Sequence, residues 1–518
     1  MNTNLFQTLR GSLIPAAAAR NEAGGVAYAL EPRHALAQLA ATGCMNRTFY
    51  ASADEQMKAV LALAQTLPVD FVAKTAIYAR EQGHMKDMPA LLCAVLASRD
   101  GALLKATFPR VMDNARMVRN FVQVIRSGVT SRKSLGTLPK RLVRDWIAAR
   151  SDEQLFADSV GQTPSLADLI RMVHPRPAQP QREALYGYLI GQSHNAEILP
   201  PIVRAYEAFK TGLVKTAPAV PFQLLTALDL STNDWIEIAR TAPWQMTRMN
   251  LNTFARHGVF GNGEVTRAIA RRLANADLVR KARVFPYQLL AAYKTAGAGV
   301  PESVRNALQD AMEIATANVP RIEGKVYIFP DVSGSMQSPV TGHRAGATTS
   351  VRCIDVAALV AATIMRRNAD AEVLPFGTSI CPVPINPRDS IMTNAAKLAA
   401  INGGGTNCSA PLAELNRRNA QADLIVYVSD NESWMDAPRG RGTATMSEWT
   451  KFRNRNPRAR LVYIDLQPYT TTQVAEREDV LNIGGFSDQV FQLVGRFAEG
   501  KLSGDHWIGE IENISLSL

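Results

Sequence analysis

The hydrophobic period of this chain changes once, near Pro320, and that change restricts it to a helical part followed by an α/β part. From about residue 31 to 315, apolar residues recur at helical spacing. Leu36 and Leu39 sit three apart, and Val60, Leu61, Leu63 and Ala64 continue the pattern. LADLIRMV, REALYGYLI, VPFQLLTAL and YQLLAAYKTA repeat it, with proline and glycine ending the runs. Antiparallel helix pairs that bury such stripes on their neighbours make a helical-repeat, HEAT-like solenoid; a compact helical bundle is the alternative. Residues 1 to 30, with Gly11, Pro15, Gly24 and Gly25, read as an irregular arm.

Beyond Pro320, short β-rich runs alternate with helical ones. KVYIF (325–329), EVLPF (372–376), DLIVYVS (423–429), LVYIDL (461–466) and QVFQLV (489–494) read as strands. CIDVAALVAATIMRR (353–367), MTNAAKLAAIN (392–402) and SAPLAELNRR (409–418) read as helices. Residues 320–518 are therefore expected to form a Rossmann-like parallel sheet covered by helices, with its ligand crevice beyond the C-terminal ends of the strands.

At 518 residues the chain exceeds one ordinary core, and 47% hydrophobic with 20% charged residues is a globular composition. The formal charge of +11 fits a polyanionic partner, or merely a basic soluble protein. Cys44, Cys93, Cys353, Cys381 and Cys408 are scattered, without a CxxC, which argues against a disulfide framework and a structural zinc site. The N-terminus lacks a signal-peptide pattern and no run is long enough to span a bilayer, so a cytoplasmic location is expected.

One constellation stands at the expected strand ends. Asp331, Ser333 and Ser335 form a DxSxS loop after the first strand, with Gly334 giving the bend. Thr406 lies in GGGTN (403–407), and Asp430 directly follows DLIVYVS. All five donate oxygen, the shell a hard cation such as Mg²⁺ prefers, and an open position would accept a carboxylate from a protein partner. Taken singly, each residue has a plainer reading as a cap or turn residue. A hydrolase would need a general base; Glu432 is the nearest carboxylate and reads as a surface residue. Neither a phosphate-binding GxxxxGK[ST] loop nor a GxSxG elbow is present, so an enzyme is not expected. Met336 and Trp434 fall either on the rim of this site or in loop packing.

Basic residues concentrate between Lys105 and Arg150. They include Arg116, Arg119, Arg132, Lys133, Lys140 and Arg141, the last four in the stretch SRKSLGTLPKR (131–141), read as a loop. Arg171, His174 and Arg176 make a second patch, and Arg248, Arg256 and His257 begin a third that continues to Arg283. Such groups neutralise phosphates, and Phe108, Phe121, Trp146, Trp244 and Phe254 would offer stacking faces for single strands. Ordinary solvated helix faces and core aromatics account for the same residues, and composition does not separate RNA from DNA.

DVSGSM (331–336), GGGTNCSAPL (403–412) and LIVYVSDNES (424–433) resemble the cation motifs of von Willebrand factor A (vWA) domains. VRNFVQVIRSG (118–128), KRLVRDWI (140–147), TPSLADLIRMVHPRP (163–177) and RVFPYQLLAAYK (283–294) resemble TROVE segments. Together they resemble the Ro 60 kDa family, and bacterial Ro proteins most: a ring of helical repeats (31–315) followed by a vWA domain (320–518) with a metal-ion-dependent adhesion site. The resemblance implies a ribonucleoprotein component that binds small noncoding Y-like RNA and single-stranded ends of misfolded RNA. It further implies work with a 3′ exoribonuclease in RNA processing, quality control and stress recovery, and it makes the five oxygen donors the cation ligands. Vertebrate relatives carry a His-Lys pair where this chain has Leu166 and Ala167, so a basic contact there is lost or supplied by Arg171, His174 or the 131–141 stretch. The rival expectation is a cation-dependent protein-binding module without direct RNA binding, and a metal-dependent phosphohydrolase is a third.

Overall fold

The computed structural model describes residues 14–42, 46–161, 164–282, 284, 286–343, 351–368, 370–435, 442–485, 488–502 and 506–516. Cys44 and Arg283 lie outside them. The chain packs as two compact units: one comprises Met1–Leu67, Arg283–Thr295 and Gln309–Asn513, the other Pro68–Ala282, Ala296–Leu308 and Ile514–Leu518. The change of secondary structure falls near Pro320 as expected, but the unit holding the sheet also gathers the first 67 residues.

In the helical unit, helices pack on near neighbours in sequence. Val69–Glu81 lies against Asp87–Arg99 and Gly101–Val111, Asp87–Arg99 against Ala115–Ser127, and Thr232–Thr241 against Gly263–Leu273. Local sequence sets their limits. Ser165 caps Leu166–Val173 in a reciprocal box with Asp168, and Ser231 does the same with Asp234 for Thr232–Thr241. Gly128, at φ 86°, ends Ala115–Ser127 in the left-handed conformation. Helix Asp87–Arg99 is buried along Met88–Leu96, whereas Ala115–Ser127 buries only one face, through Met117, Val118, Phe121, Val122 and Ile125.

The other unit is built on a five-stranded parallel sheet. Its strands are β3 (Val326–Pro330), β4 (Glu372–Val373), β5 (Leu424–Ser429), β6 (Arg460–Asp465) and β8 (Val480–Gly484), in the order β4-β3-β5-β6-β8. β3 and β5 are buried throughout, as their unbroken apolar runs require. Tyr327, Phe329, Tyr427 and Tyr463 face a core completed by Leu412, Leu415, Met446, Trp449 and Phe452, with Tyr427 and Tyr463 stacked at 4.5 Å. Helix Cys353–Arg367 packs on β3 and β5 and is itself backed by Ile391–Ala399.

Two expectations are corrected here. QVFQLV is not a strand: it lies in helix Asp488–Ala498, where Val490, Phe491, Leu493, Val494 and Phe497 repeat at helical spacing. The edge strand is instead β8, VLNIG, whose asparagine interrupts the apolar run. The irregular arm also contains regular structure. β1 (Ala19–Arg20) and β2 (Val26–Ala29) form a hairpin, and β2 pairs antiparallel with β7 (Thr471–Thr472), which carries Tyr28 into the core.

Candidate functional site

The register of the sheet assembles the acidic edge. Pro330 pairs with Val428 and Ser429 with Asp465, so Asp331, Asp430 and Asp465 all emerge at the C-terminal ends of β3, β5 and β6. Backbone hydrogen bonds then tie the three loops together. Gly334 N–H donates to Gly404 C=O (2.8 Å), Gly403 N–H to Val332 C=O (2.8 Å), and Met435 N–H to Thr406 C=O (3.0 Å). Gly403 permits this approach because a Cβ there would lie 2.9 Å from Gly377 Cα and from the Val332 side chain.

All five expected cation ligands meet at this edge and are buried: Asp331, Ser333, Ser335, Thr406 and Asp430 are at most 6% exposed. Asp331 is held from both sides, its Oδ1 accepting from Ser333 N–H (2.8 Å) and its Oδ2 from Ser429 Oγ (2.6 Å). The Ser333 and Ser335 hydroxyls are 3.4 Å apart. Both carboxylate oxygens of Asp430 are shut from solvent and meet no donor with ordinary hydrogen-bond geometry, although Ser335 and the Glu432 amide are near enough to favour its charged form. Burial, with the charge of Asp331 beside it, pushes the Asp430 carboxyl up to about 7. Burial also raises Asp331, against the opposing pull of its Ser333 and Ser429 hydrogen bonds.

Glu432, expected at the surface, is instead 1% exposed. The N-terminal hairpin covers it: Ala23 N–H donates to Glu432 Oε2 (2.9 Å), and Asn21 Nδ2 donates to Ser433 C=O (2.7 Å). A Cβ on Gly25 would fall 2.0 Å from the Ser433 carbonyl oxygen, so only glycine lets the hairpin lie this close. Burial pushes the Glu432 and Asp465 carboxyls well above the usual range, and Asp430 adds to both. The edge is thus a concentration of buried acid. Among the described residues no three His, Cys, Asp or Glu side chains form a metal set, so the oxygen donors that fit a cation are two carboxylates and three hydroxyls. The orphaned oxygens of Asp430 are the observation that fits a cation, because a buried carboxylate without partners is costly.

Met336 is fully buried and takes no part in a rim, whereas Trp434 is 51% exposed. Ser429 is a site residue that the motif did not single out; its only sequence signal is its place directly before Asp430. We expect Ser429→Ala to leave the Asp331 oxygen without its donor. Thermal unfolding should show about 1–3 kcal/mol of lost stability, and Mn²⁺ titration roughly tenfold weaker binding. Unchanged Mn²⁺ affinity would reduce Ser429 to a turn residue.

The basic candidates lie on several helices of the other unit. Arg116 is exposed on Ala115–Ser127, Lys133 follows that helix, and Lys140 and Arg141 lie in helix Thr137–Ala149. The expected 131–141 loop is therefore only 131–136, because Pro139, Val143 and Ile147 repeat every four residues and bury a helical face. Among the described residues no carboxylate pairs with Arg116, Lys133, Lys140 or Arg141, in contrast to the Arg80–Asp113 and Arg110–Glu81 pairs nearby. Lys86 adds to this field: burial, then Arg116 and Arg80, lower its pKa.

Other candidates are tied into the fold. Arg132 donates to Ala97 C=O, and Arg119 Nη1 to Val160 C=O (3.0 Å). Arg171 donates to Ile190 C=O and pairs with Asp168, while His174 is exposed and caps its helix with φ 48°. Arg256 is exposed, but the His257 ring stacks on Trp235 at 4.3 Å. The stacking aromatics are corrected: Phe108, Phe121, Trp244 and Phe254 are core residues. The Trp146 indole donates to Met112 C=O, with Arg150 over its ring. Their helical spacing marked buried faces, which is why they were available to the sequence pattern but not to a ligand.

Residues 325–498 match the Ro60 vWA domain family. The chain is similar to the RNA-binding protein RO60 of Deinococcus radiodurans, with 24% identity covering 93% of this chain and 96% of that one. The crystal structure of the Deinococcus radiodurans RO (RSR) protein shares the fold at a TM-score of 0.62 and 20% identity, over 91% of this chain and 100% of that one. The sheet-bearing region is thus a Ro60-type vWA domain, and the chain is similar to a bacterial Ro protein along nearly its whole length.

Proposed function

We propose that this chain is an RNA-binding protein whose helical unit holds the RNA and whose vWA domain holds one divalent cation. The RNA reading is supported by its likeness to a protein named for RNA binding. The observation that carries it is the set of cations without acid partners on the helical unit: Arg116, Lys133, Lys140 and Arg141. Arg171, His174 and Arg256 extend the set, and Arg119, Arg132 and His257 shape it through packing. The ligands we infer are small noncoding Y-like RNA and single-stranded RNA ends. The processes are RNA processing, quality control and stress recovery beside a 3′ exoribonuclease, in the cytoplasm. Among the described residues no helix is long and apolar enough to cross a membrane.

The cation we infer is Mg²⁺, held by Asp331, Ser333, Ser335, Thr406 and Asp430. It would relieve the unpartnered Asp430 charge and present an open position to a protein partner's Asp or Glu. A titration at several salt concentrations tests the RNA half. A structured RNA with a single-stranded 3′ end is expected to bind more tightly than its blunt form or matched DNA, with a steep salt dependence. Equal, weak binding of all three would leave only non-specific attraction between a basic protein and polyanions.

A further inference from the structure

The stretch KFRNRNPRAR (451–460) in the sheet-bearing unit carries five cations in ten residues and no acid. It spans the end of helix Ala444–Arg455, a turn closed by Ala459 N–H on Asn456 C=O (2.9 Å), and the first residue of β6. Three of the five cations are held by neighbours. Lys451 pairs with Glu448 (2.8 Å), Arg455 donates to Asn416 Oδ1 (2.8 Å), and Arg453 Nε meets Asp479 Oδ2 (3.3 Å). Arg458 and Arg460 differ. Among the described residues neither guanidinium has an ion pair or a hydrogen bond. Arg458 is exposed, whereas Arg460 is half-buried, its guanidinium 5.1 Å over the Phe497 ring.

Both line a hollow of about 720 Å³ at the N-terminal ends of the parallel strands, the edge opposite the cation site. Arg453 and Arg477 line it too, and the buried Asp479 fixes them. It accepts from Trp449 Nε1 (2.9 Å), from Arg477 Nε (2.8 Å) and from Arg453 Nε. Holding Arg477 through Nε leaves its terminal nitrogens without a partner among the described residues. The other carboxylates on the lining bring the hollow near charge balance. Glu499 pairs with Lys501, Asp423 accepts from the Lys325 amide (2.8 Å), and Glu323 and Glu478 are exposed. No excess positive field therefore draws a long polyanion here. What the hollow offers is short-range: planar guanidinium forks with unpaired N–H donors, the geometry that suits phosphate oxygens. Its volume exceeds a bare phosphate and leaves room for an organic group attached to one.

We propose that this hollow binds the terminal phosphate of a small phosphomonoester, the class that includes nucleoside monophosphates. Arg458 and Arg460 donate to the phosphate oxygens, and the terminal nitrogens of Arg477 flank them. The half-buried, unpaired Arg460 guanidinium carries the assignment, because such a charge is costly until an anion meets it. The site is separate from the basic helices of the other unit and from the cation ligands, and it depends on neither reading.

The test is calorimetric titration of the full chain with AMP, adenosine and a 5′-phosphorylated RNA tetramer. AMP is expected to bind, and adenosine to bind at least about tenfold more weakly, as loss of charge-assisted hydrogen bonds requires. Arg458→Gln and Arg460→Lys should each weaken AMP by about tenfold, the second because an ammonium keeps the charge but lacks the fork. Arg458 is exposed, so its variant should fold as the wild type does. Replacing Arg116, Lys133 and Arg141 with glutamate should leave AMP affinity unchanged. The tetramer separates the two sources of such a phosphate. Binding weaker than AMP marks a free nucleotide as the ligand; binding tighter than AMP and lost in Arg458→Gln marks an RNA end in the same site. Equal affinity for AMP and adenosine overturns the proposal. So does absence of AMP binding, unchanged AMP affinity in both arginine variants, or its loss in the helical-unit variant instead.

Discussion

Addition of Mg²⁺ or Mn²⁺ should raise the unfolding temperature of the vWA-bearing unit, and Asp430→Asn should abolish that response. A ligand present at a hundred times its dissociation constant stabilises the folded state by about 2.7 kcal/mol. For a unit of this size that corresponds to a rise of roughly 5–10 °C. The variant is informative because the buried Asp430 carboxylate has no good partner in the cation-free protein. Replacing it with a neutral isostere removes an uncompensated charge, so cation-free Asp430→Asn should be as stable as the wild type or more so. Asp331→Asn should differ, because its oxygens already accept from Ser333 and Ser429 and an amide cannot accept at both positions.

The sign of the pH dependence follows from the same burial. Asp430 has a folded-state pKa raised from 3.8 to about 7, so the cation-free fold favours its protonated form. Its contribution to cation-free stability is complete below 3.8 and is lost as pH rises through about 7. Cation binding displaces that proton. The thermal shift should therefore be larger at pH 8 than at pH 6. A wild type indifferent to both ions at pH 8 would end the cation reading.

Much of this site is legible in the sequence because its parts are local. DVSGS, GGGTN and the Asp after DLIVYVS each follow a strand or a glycine loop, and parallel strands bring such ends to one edge whatever their separation along the chain. The contributions that were not legible are long-range. Nothing in the residues around Ala23 indicates that they lie over a loop some 409 positions later. Glu432 illustrates the same limit: its acidic character predicts solvent, and only the hairpin laid over it makes it buried. On the helical unit, the period of Ala115–Ser127 separates its buried face from Arg116, but it does not say which arginines will bind carbonyls of neighbouring helices. Arg132 and Arg272 satisfy backbone oxygens near helix ends, which sequence spacing alone cannot distinguish from a free cation.

That distinction sets the second large effect. Replacing Arg116, Lys133 and Arg141 together with glutamate should weaken binding of a 3′-tailed RNA about 100-fold or more at 0.1 M salt. Each phosphate contact on a single strand contributes about 0.7 to the slope of log K against log salt. Three lost contacts flatten the slope by about 2, which amounts to two decades between 1 M and 0.1 M, before the repulsion of the new carboxylates is counted. All three side chains are exposed and outside any ion pair among the described residues, so the fold should tolerate the change. Arg132→Ala supplies the contrast. Its guanidinium holds the Ala97 carbonyl, so its loss should lower the unfolding temperature while leaving the salt slope near that of the wild type. If instead the triple variant keeps the wild-type slope and Arg132→Ala flattens it, Arg132 is the phosphate contact and the three unpaired cations are not. A slope unchanged in both variants would remove this face from the RNA path and leave Arg171, His174 and Arg256 as the remaining exposed candidates.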